Sequence, residues 1–329
     1  MTKYNVEKFL QDLENLVNID SHSSDFEGME KVVAYIEKEF QTPMWHISRP
    51  DCGAGCAKPL QIANTADENY DVVLCCHIDT VFPKGTVAKR PYSVKENIAY
   101  GPGVSDMKSC CLQSVYVAKA LEEASALDKL KICLAFNTEE EVGSSNVRPW
   151  LEKLGKNTKY CLVMEAARAN GARVLERKGV QHYVIDFKGK AAHAGNNHAD
   201  GRSAINEMAY WILELAKLTN YETGLTVNTG VVAGGQSYNA VADNAHMDVD
   251  VRIVDMKQVD IVEAAIQELL EHAKKAEILV DVKHPVNQPP MASTPETAGL
   301  VAIIDEASQA YGMSTEWVKA GGASDGNYM

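Results

Sequence analysis

The chain has 329 residues, 46% of them hydrophobic and 23% charged, with a formal net charge of −13. That length accommodates one large domain and a smaller one, and the composition is that of an ordinary globular protein. The acidic balance speaks against nucleic acid or an anionic membrane surface as a partner, and no apolar run reaches the roughly eighteen residues a membrane-spanning helix needs.

The opening Met1-Thr2-Lys3-Tyr4-Asn5-Val6-Glu7 lacks the apolar core of a signal peptide, so a cytoplasmic location is expected. Apolar positions at helical spacing over 4–18 and 27–40, among them Val32, Val33, Ile36 and Phe40, predict two helices. Cys52 and Cys56 follow in a Gly-rich loop with no second cysteine pair nearby, which favours an ordinary loop over a metal site. The remaining cysteines, Cys75, Cys76, Cys110, Cys111, Cys133 and Cys161, sit in apolar runs and read as small buried residues in a reducing compartment.

Three short apolar runs then end abruptly in polar clusters. Val72 to Cys76 leads into His77-Ile78-Asp79-Thr80, Leu130 to Phe136 into Asn137-Thr138-Glu139-Glu140-Glu141, and Cys161 to Met164 into Glu165. Continuous apolar runs suit strands buried on both faces, and helical stretches around Cys110–Ala124 and Asn146–Leu154 complete an alternating α/β pattern with a mostly parallel sheet. From Gly179 the texture changes. A strand at Val180–Phe187, a helix at Arg202–Leu218, strands at Leu225–Ala233 and Ala245–Ile253, a helix at Lys257–Lys275 and a strand at Glu277–Lys283 give the order β-α-β-β-α-β, a ferredoxin-like arrangement. After Pro285–Pro290, the helical Glu296–Tyr311 and the run Thr315–Val318 read as a return to the first domain.

Ligands in open α/β sheets bind at the carboxyl ends of the strands. One strand-end carboxylate is an ordinary cap, but His77 with Asp79, Glu139–Glu141, Glu165 and the loop residue Asp106 come from four separate segments and converge on one sheet edge. One imidazole among several carboxylates suits zinc, cobalt or manganese, and the excess of carboxylates favours two ions bridged by one of them. The His77-x-Asp79 spacing puts both side chains on one strand face, where Asp79 can fix the imidazole tautomer.

The runs His77-Ile78-Asp79-Thr80-Val81, Gly101-Pro102-Gly103-Val104-Ser105-Asp106-Met107-Lys108, Asn137-Thr138-Glu139-Glu140-Glu141-Val142-Gly143-Ser144 and Gly189-Lys190-Ala191-Ala192-His193-Ala194-Gly195 resemble the co-catalytic zinc peptidases. That family includes glutamate carboxypeptidases, aminoacylases, acetylornithine deacetylases and succinyl-diaminopimelate desuccinylases. Tyr100-Gly101-Pro102-Gly103 and Gly321-Gly322-Ala323-Ser324-Asp325 are most similar in texture to the glutamate carboxypeptidase branch. The resemblance implies a catalytic domain over residues 1–178 and 286–329, and a lid and dimerisation domain inserted at 179–285, through which a homodimer forms. It implies two zinc ions per subunit, with Asp106 bridging, His77 and Glu165 on one ion and Glu141 on the other. A metal-bridged water is then the nucleophile and Glu140 its general base, while Glu139 stands where relatives have Asp and receives no role. His193 matches a lid histidine that stabilises the oxyanion across the dimer. Asn239 and Arg252 match residues that hold the substrate carbonyl and carboxylate, with pairing of Arg252 to a neighbouring acid as the alternative. The Gly321-Gly322 turn is expected to bring backbone N–H groups to the substrate carboxylate.

Two departures stand out. Ser109 and Cys110 occupy positions where many relatives have glycine. Relatives also continue beyond the Gly-Gly-x-Ser-Asp run and supply a last histidine to the second ion; none of His22, His182, His198, His246, His272 or His284 lies in a matching motif, so that ion is expected to lack a ligand. The leading expectation is a carboxypeptidase cleaving an amide beside a free carboxylate and releasing a C-terminal residue, glutamate in the first instance. An N-acyl-amino-acid deacylase is the alternative enzyme, and a non-catalytic remnant of the same fold the alternative from another class.

Overall fold

The computed structural model describes residues 5–329. The chain divides into two compact units, one running through Arg173 and including Leu300–Glu316 and Ser324–Met329, the other comprising Val174–Gly299 and Trp317–Ala323.

The first unit is built on a five-stranded sheet in the order His46–Ser48, Leu60–Ala63, Ile132–Asn137, Tyr70–His77, Thr158–Val163. The last three are mutually parallel and the first two add as antiparallel strands. Every residue of Ile132–Asn137 is buried, as a central strand covered on both faces requires. Helices Val6–Val17, Phe26–Glu37 and Ser109–Glu123 send Leu13, Leu16, Val32, Val33, Cys111 and Val115 into one core; Arg148–Lys156 sends Trp150, Leu151 and Leu154 into a second. The Asn5 side chain accepts from the Lys8 N–H at 3.0 Å and starts the first of these helices. All eight cysteines are free thiols; Cys56, Cys75, Cys76, Cys110, Cys111 and Cys133 are buried, while Cys52 and Cys161 are partly accessible.

The parallel register sets the site. His77 lies opposite Asn137, and Cys75 opposite Val163, so two strands end at one level, the third two residues short of it, and the residues that follow all three lie at one edge.

The second unit is a four-stranded antiparallel sheet in the order Thr226–Gly234, Asn244–Ile253, Gly179–Lys188, Leu279–Gln288, with helices Ala204–Ala216 and Lys257–Lys275. Strict alternation of buried and half-buried residues along Gly179–Lys188 and Asn244–Ile253 presents Tyr183, Ile185, Phe187, Met247, Val249 and Val251 to the helices. Trp211 is fully buried there and meets Phe187 edge-on at 5.2 Å. This unit is wider than the span 179–285 for two reasons: its last strand runs to Gln288, and Trp317–Ala320 pairs with strand Arg173–Arg177.

Candidate metal centre

His77 closes its strand with its imidazole buried. Nε2 lies 3.0 Å from Asp106 Oδ1 and 3.6 Å from Glu165 Oε1. Nδ1 lies 3.0 Å from the Asp79 carbonyl oxygen and 3.3 Å from its carboxylate, so Asp79 directs Nε2 toward the acids through its backbone as well as its side chain. The strand has ended by then, and Asp79 sits in the following loop. Its fully buried carboxylate does further work: Oδ1 accepts from the Glu140 N–H at 3.1 Å, and Oδ2 from the Glu141 N–H at 3.1 Å and from Ser23 Oγ at 2.7 Å. One carboxylate thereby orients the histidine and holds the backbone of the two glutamates.

Asp106 comes from the turn Val104–Lys108, entered through Gly103 at φ +68°, where a Cβ would lie 2.6 Å from Thr80 Cγ2. The turn is tied to the strand end by the His77 N–H, which donates to Met107 Sδ at 3.1 Å, and by Cys111 Sγ, which donates to the His77 carbonyl at 3.0 Å. Beyond Glu140–Glu141, Glu139 turns away: its carboxylate accepts from the Asn146 and Val147 N–H groups ahead of helix Arg148–Lys156. That is a structural part for Glu139.

The ligand atoms form two overlapping groups, His77 with Glu140 and Glu165 and His77 with Asp106 and Glu141, each within 4.8 Å. As side chains alone these groups hold protons. Burial is the main cause raising Glu140 to about 8 and Glu141 to about 7, with neighbouring carboxylates adding to it and His77 opposing. Burial resists charging of His77, but Asp106 and Asp79 prevail and raise it well above the ordinary imidazole value. Four converging carboxylates around one imidazole, two of them unable to ionise fully at neutral pH, are a donor set that fits divalent cations. Among the described residues no second imidazole joins either group.

The second unit carries the remaining predicted residues. His193 and Asn239 are brought together by a short antiparallel ladder, in which the Ala194 N–H donates to the Asn239 carbonyl and the Val241 N–H to the Ala192 carbonyl. The Gly195 and Asn196 N–H groups donate to His193 Nδ1 at 3.1 and 3.2 Å, which puts the neutral ring's proton on the exposed Nε2. Arg252 forks onto Asp250 at 2.8 and 2.9 Å, the pairing held open as its alternative. Gly321 and Gly322 follow strand Trp317–Ala320, and Arg177 donates to the carbonyls of Gly322 and Ala323 at 3.3 and 3.2 Å. Ser23 and Met107 drew no attention as site residues, because nothing in their local sequence marks a hydroxyl or a thioether as the partner of a distant strand end.

A family model described as a peptidase dimerisation domain matches residues 175–277, and one described as peptidase family M28 matches residues 51–204. Carboxypeptidase G2 of Pseudomonas sp. is 28% identical over 277 residues, 83% of this chain and 66% of that protein. N-acetyl-L-citrulline deacetylase of Xanthomonas campestris is 24% identical, covering 76% of this chain and 68% of its own length. The crystal structure of aminopeptidase PepT from Bacillus cereus shares the fold at a TM-score of 0.80 and 22% identity, covering 98% of this chain and 87% of that one. A metallo-carboxypeptidase of the M20 family from Sulfolobus solfataricus does so at 0.70 and 18%, covering 97% and 86%. Over most of its length the chain is thus similar to the co-catalytic metallopeptidases. Among curated members the chain spans 66% of the Pseudomonas enzyme's length and 49% of a probable carboxypeptidase of Trichophyton verrucosum.

Proposed function

We propose that this chain hydrolyses an amide bond next to a free carboxylate, in the manner of a glutamate carboxypeptidase acting on a small peptide or acyl-amino acid. The observation that carries the reading is Asp79, which faces His77 Nδ1 with its carbonyl and carboxylate and at the same time holds the Glu140 and Glu141 backbone through that carboxylate. His77, Asp106, Glu141 and Glu165 would hold two divalent ions, zinc in the first instance and cobalt or manganese as substitutes. Such ions supply Lewis acidity to a water and to the scissile carbonyl. Glu140, half-buried beside them and drawn by burial toward neutral pH, is suited to take a proton from the attacking water and hand it to the leaving amine. His193 Nε2–H is a donor suited to the developing oxyanion. Asn239, Arg252 and the Gly321-Gly322 turn would hold the substrate, Arg252 through the guanidinium edge that Asp250 leaves open.

On this reading the first unit is catalytic and the second a lid that pairs with its twin in a cytoplasmic homodimer. An exposed edge strand with Val231 and Val232, beside a helix that exposes Leu213, supports the pairing. The deacylase reading shares every residue named and is supported by the likeness to the citrulline-derivative deacetylase. A zinc- or cobalt-loaded panel comparing glutamate-terminated peptides with N-acetyl amino acids separates the two. Turnover of neither class would leave the fold without its chemistry.

A further inference from the structure

Asp325 is fully enclosed in the first unit and belongs to none of the ligand groups. Its Oδ1 and Oδ2 each lie 2.8 Å from Asn137 Nδ2, and Oδ1 accepts from Ser144 Oγ at 2.7 Å. Asn137 is the last residue of its strand and Ser144 follows the glutamates, so both ends of the segment carrying Glu139–Glu141 converge on one carboxylate. Asn137 also donates to Ser144 Oγ at 2.8 Å and accepts from the Glu139 N–H at 2.9 Å; the Ser144 N–H donates to the Glu139 carbonyl at 2.8 Å. Tyr328, three residues on, donates to the Gly143 carbonyl at 3.0 Å. A buried carboxylate stays ionised only where donors surround it, and here all the donors belong to one turn.

We propose that Asp325 is a positioning residue: it clamps the two ends of the Asn137–Ser144 turn while Asp79 holds the Glu140 and Glu141 backbone within it, and together they fix where Glu140 places its carboxylate. The inference rests on the hydrolytic reading for its effect on turnover, but the clamp itself is testable without turnover. Asp325→Asn keeps the shape but removes the charge and replaces one of the two acceptor oxygens by an NH2 donor, so the pair of contacts from Asn137 and the contact from Ser144 can no longer all be met. Amide exchange across 138–144 should rise at least about tenfold in this variant. On a substrate found in the panel, kcat should fall by about 10- to 100-fold with KM within about twofold, because the base is misplaced while the binding groups are untouched. The double exchange Asn137→Asp with Asp325→Asn rebuilds the amide–carboxylate pair in reverse and should recover most of both losses. If Asp325→Asn does not fold, Ser144→Ala removes one donor without changing charge and should move exchange and kcat in the same direction by less. Unchanged exchange across the turn, or kcat within about twofold of the parent, overturns the proposal. A parent chain that turns over no substrate refutes the hydrolytic reading instead, and the exchange comparison still decides the clamp.

Discussion

His77 belongs to both ligand groups, and Glu140 and Glu141 are adjacent residues that diverge into different ones. Two substitutions at this scale have different expected outcomes. Glu140→Ala should lower turnover by at least about 10²- to 10⁴-fold, the range for removal of a general base, while metal content after dialysis stays near the parent's. Glu141→Ala should lose metal; the opposite pattern would exchange their roles. Proton loading gives a second prediction. Glu141 and Glu140 hold protons up to about pH 7 and 8, so cation uptake should release protons, and apparent affinity should weaken as pH falls through that window. The sign reverses for folding in the presence of chelator. Acids whose folded pKa lies above its unfolded value contribute stability below the latter, which is lost as pH rises through the former. The chelated protein should therefore lose stability toward about pH 8, and a divalent cation should flatten that slope in thermal denaturation.

At the scale of elements, the two units have separate cores. Trp211 packs with Phe187, Met247 and Val249 in the second unit, and its indole N–H donates to Glu207 at 3.0 Å. Trp211→Ala should destabilise that unit by about 3–5 kcal/mol, as large aromatic deletions in cores do, and leave metal stoichiometry in the first unit intact. Loss of metal together with the second unit's fold would mean that the two cores do not act independently. The strands and helices that the sequence predicted include continuous apolar runs for the buried parallel strands and, in the second unit, strands and helices in β-α-β-β-α-β order. The elements that it did not predict lack such patterns. His46–Ser48 is exposed throughout, and Leu60–Ala63 spans only four residues. The hairpin Ser93–Lys95 with Ile98–Tyr100 turns at Glu96 and Asn97, both at positive φ, with no glycine to announce it.

At the scale of the whole molecule, the reading requires a homodimer in which His193 serves the partner's site. His193→Ala and Glu140→Ala, each inactive alone, should recover activity when mixed under conditions of subunit exchange, since a mixed dimer regains one intact site of two. Charged substitution of Val231 and Val232 should abolish this recovery and yield a monomer by sedimentation. A parent that sediments as a monomer, or exchanged dimers without activity, would exclude the arrangement.

The sequence by itself determined which residue types end the three buried strands, because a polar cluster after an apolar run is a local feature readable in a few residues. It also determined the β-α-β-β-α-β order of the second unit. What ties those ends together was decided only in three dimensions. Asp79 spends its carboxylate on the backbone of Glu140 and Glu141, 61 and 62 residues away, and on Ser23, 56 residues away. Asn137 finds Asp325 across 188 residues. Hydrogen bonds of that span depend on how strands align in the sheet, and no local pattern encodes the register that brings their partners within 3 Å of one another.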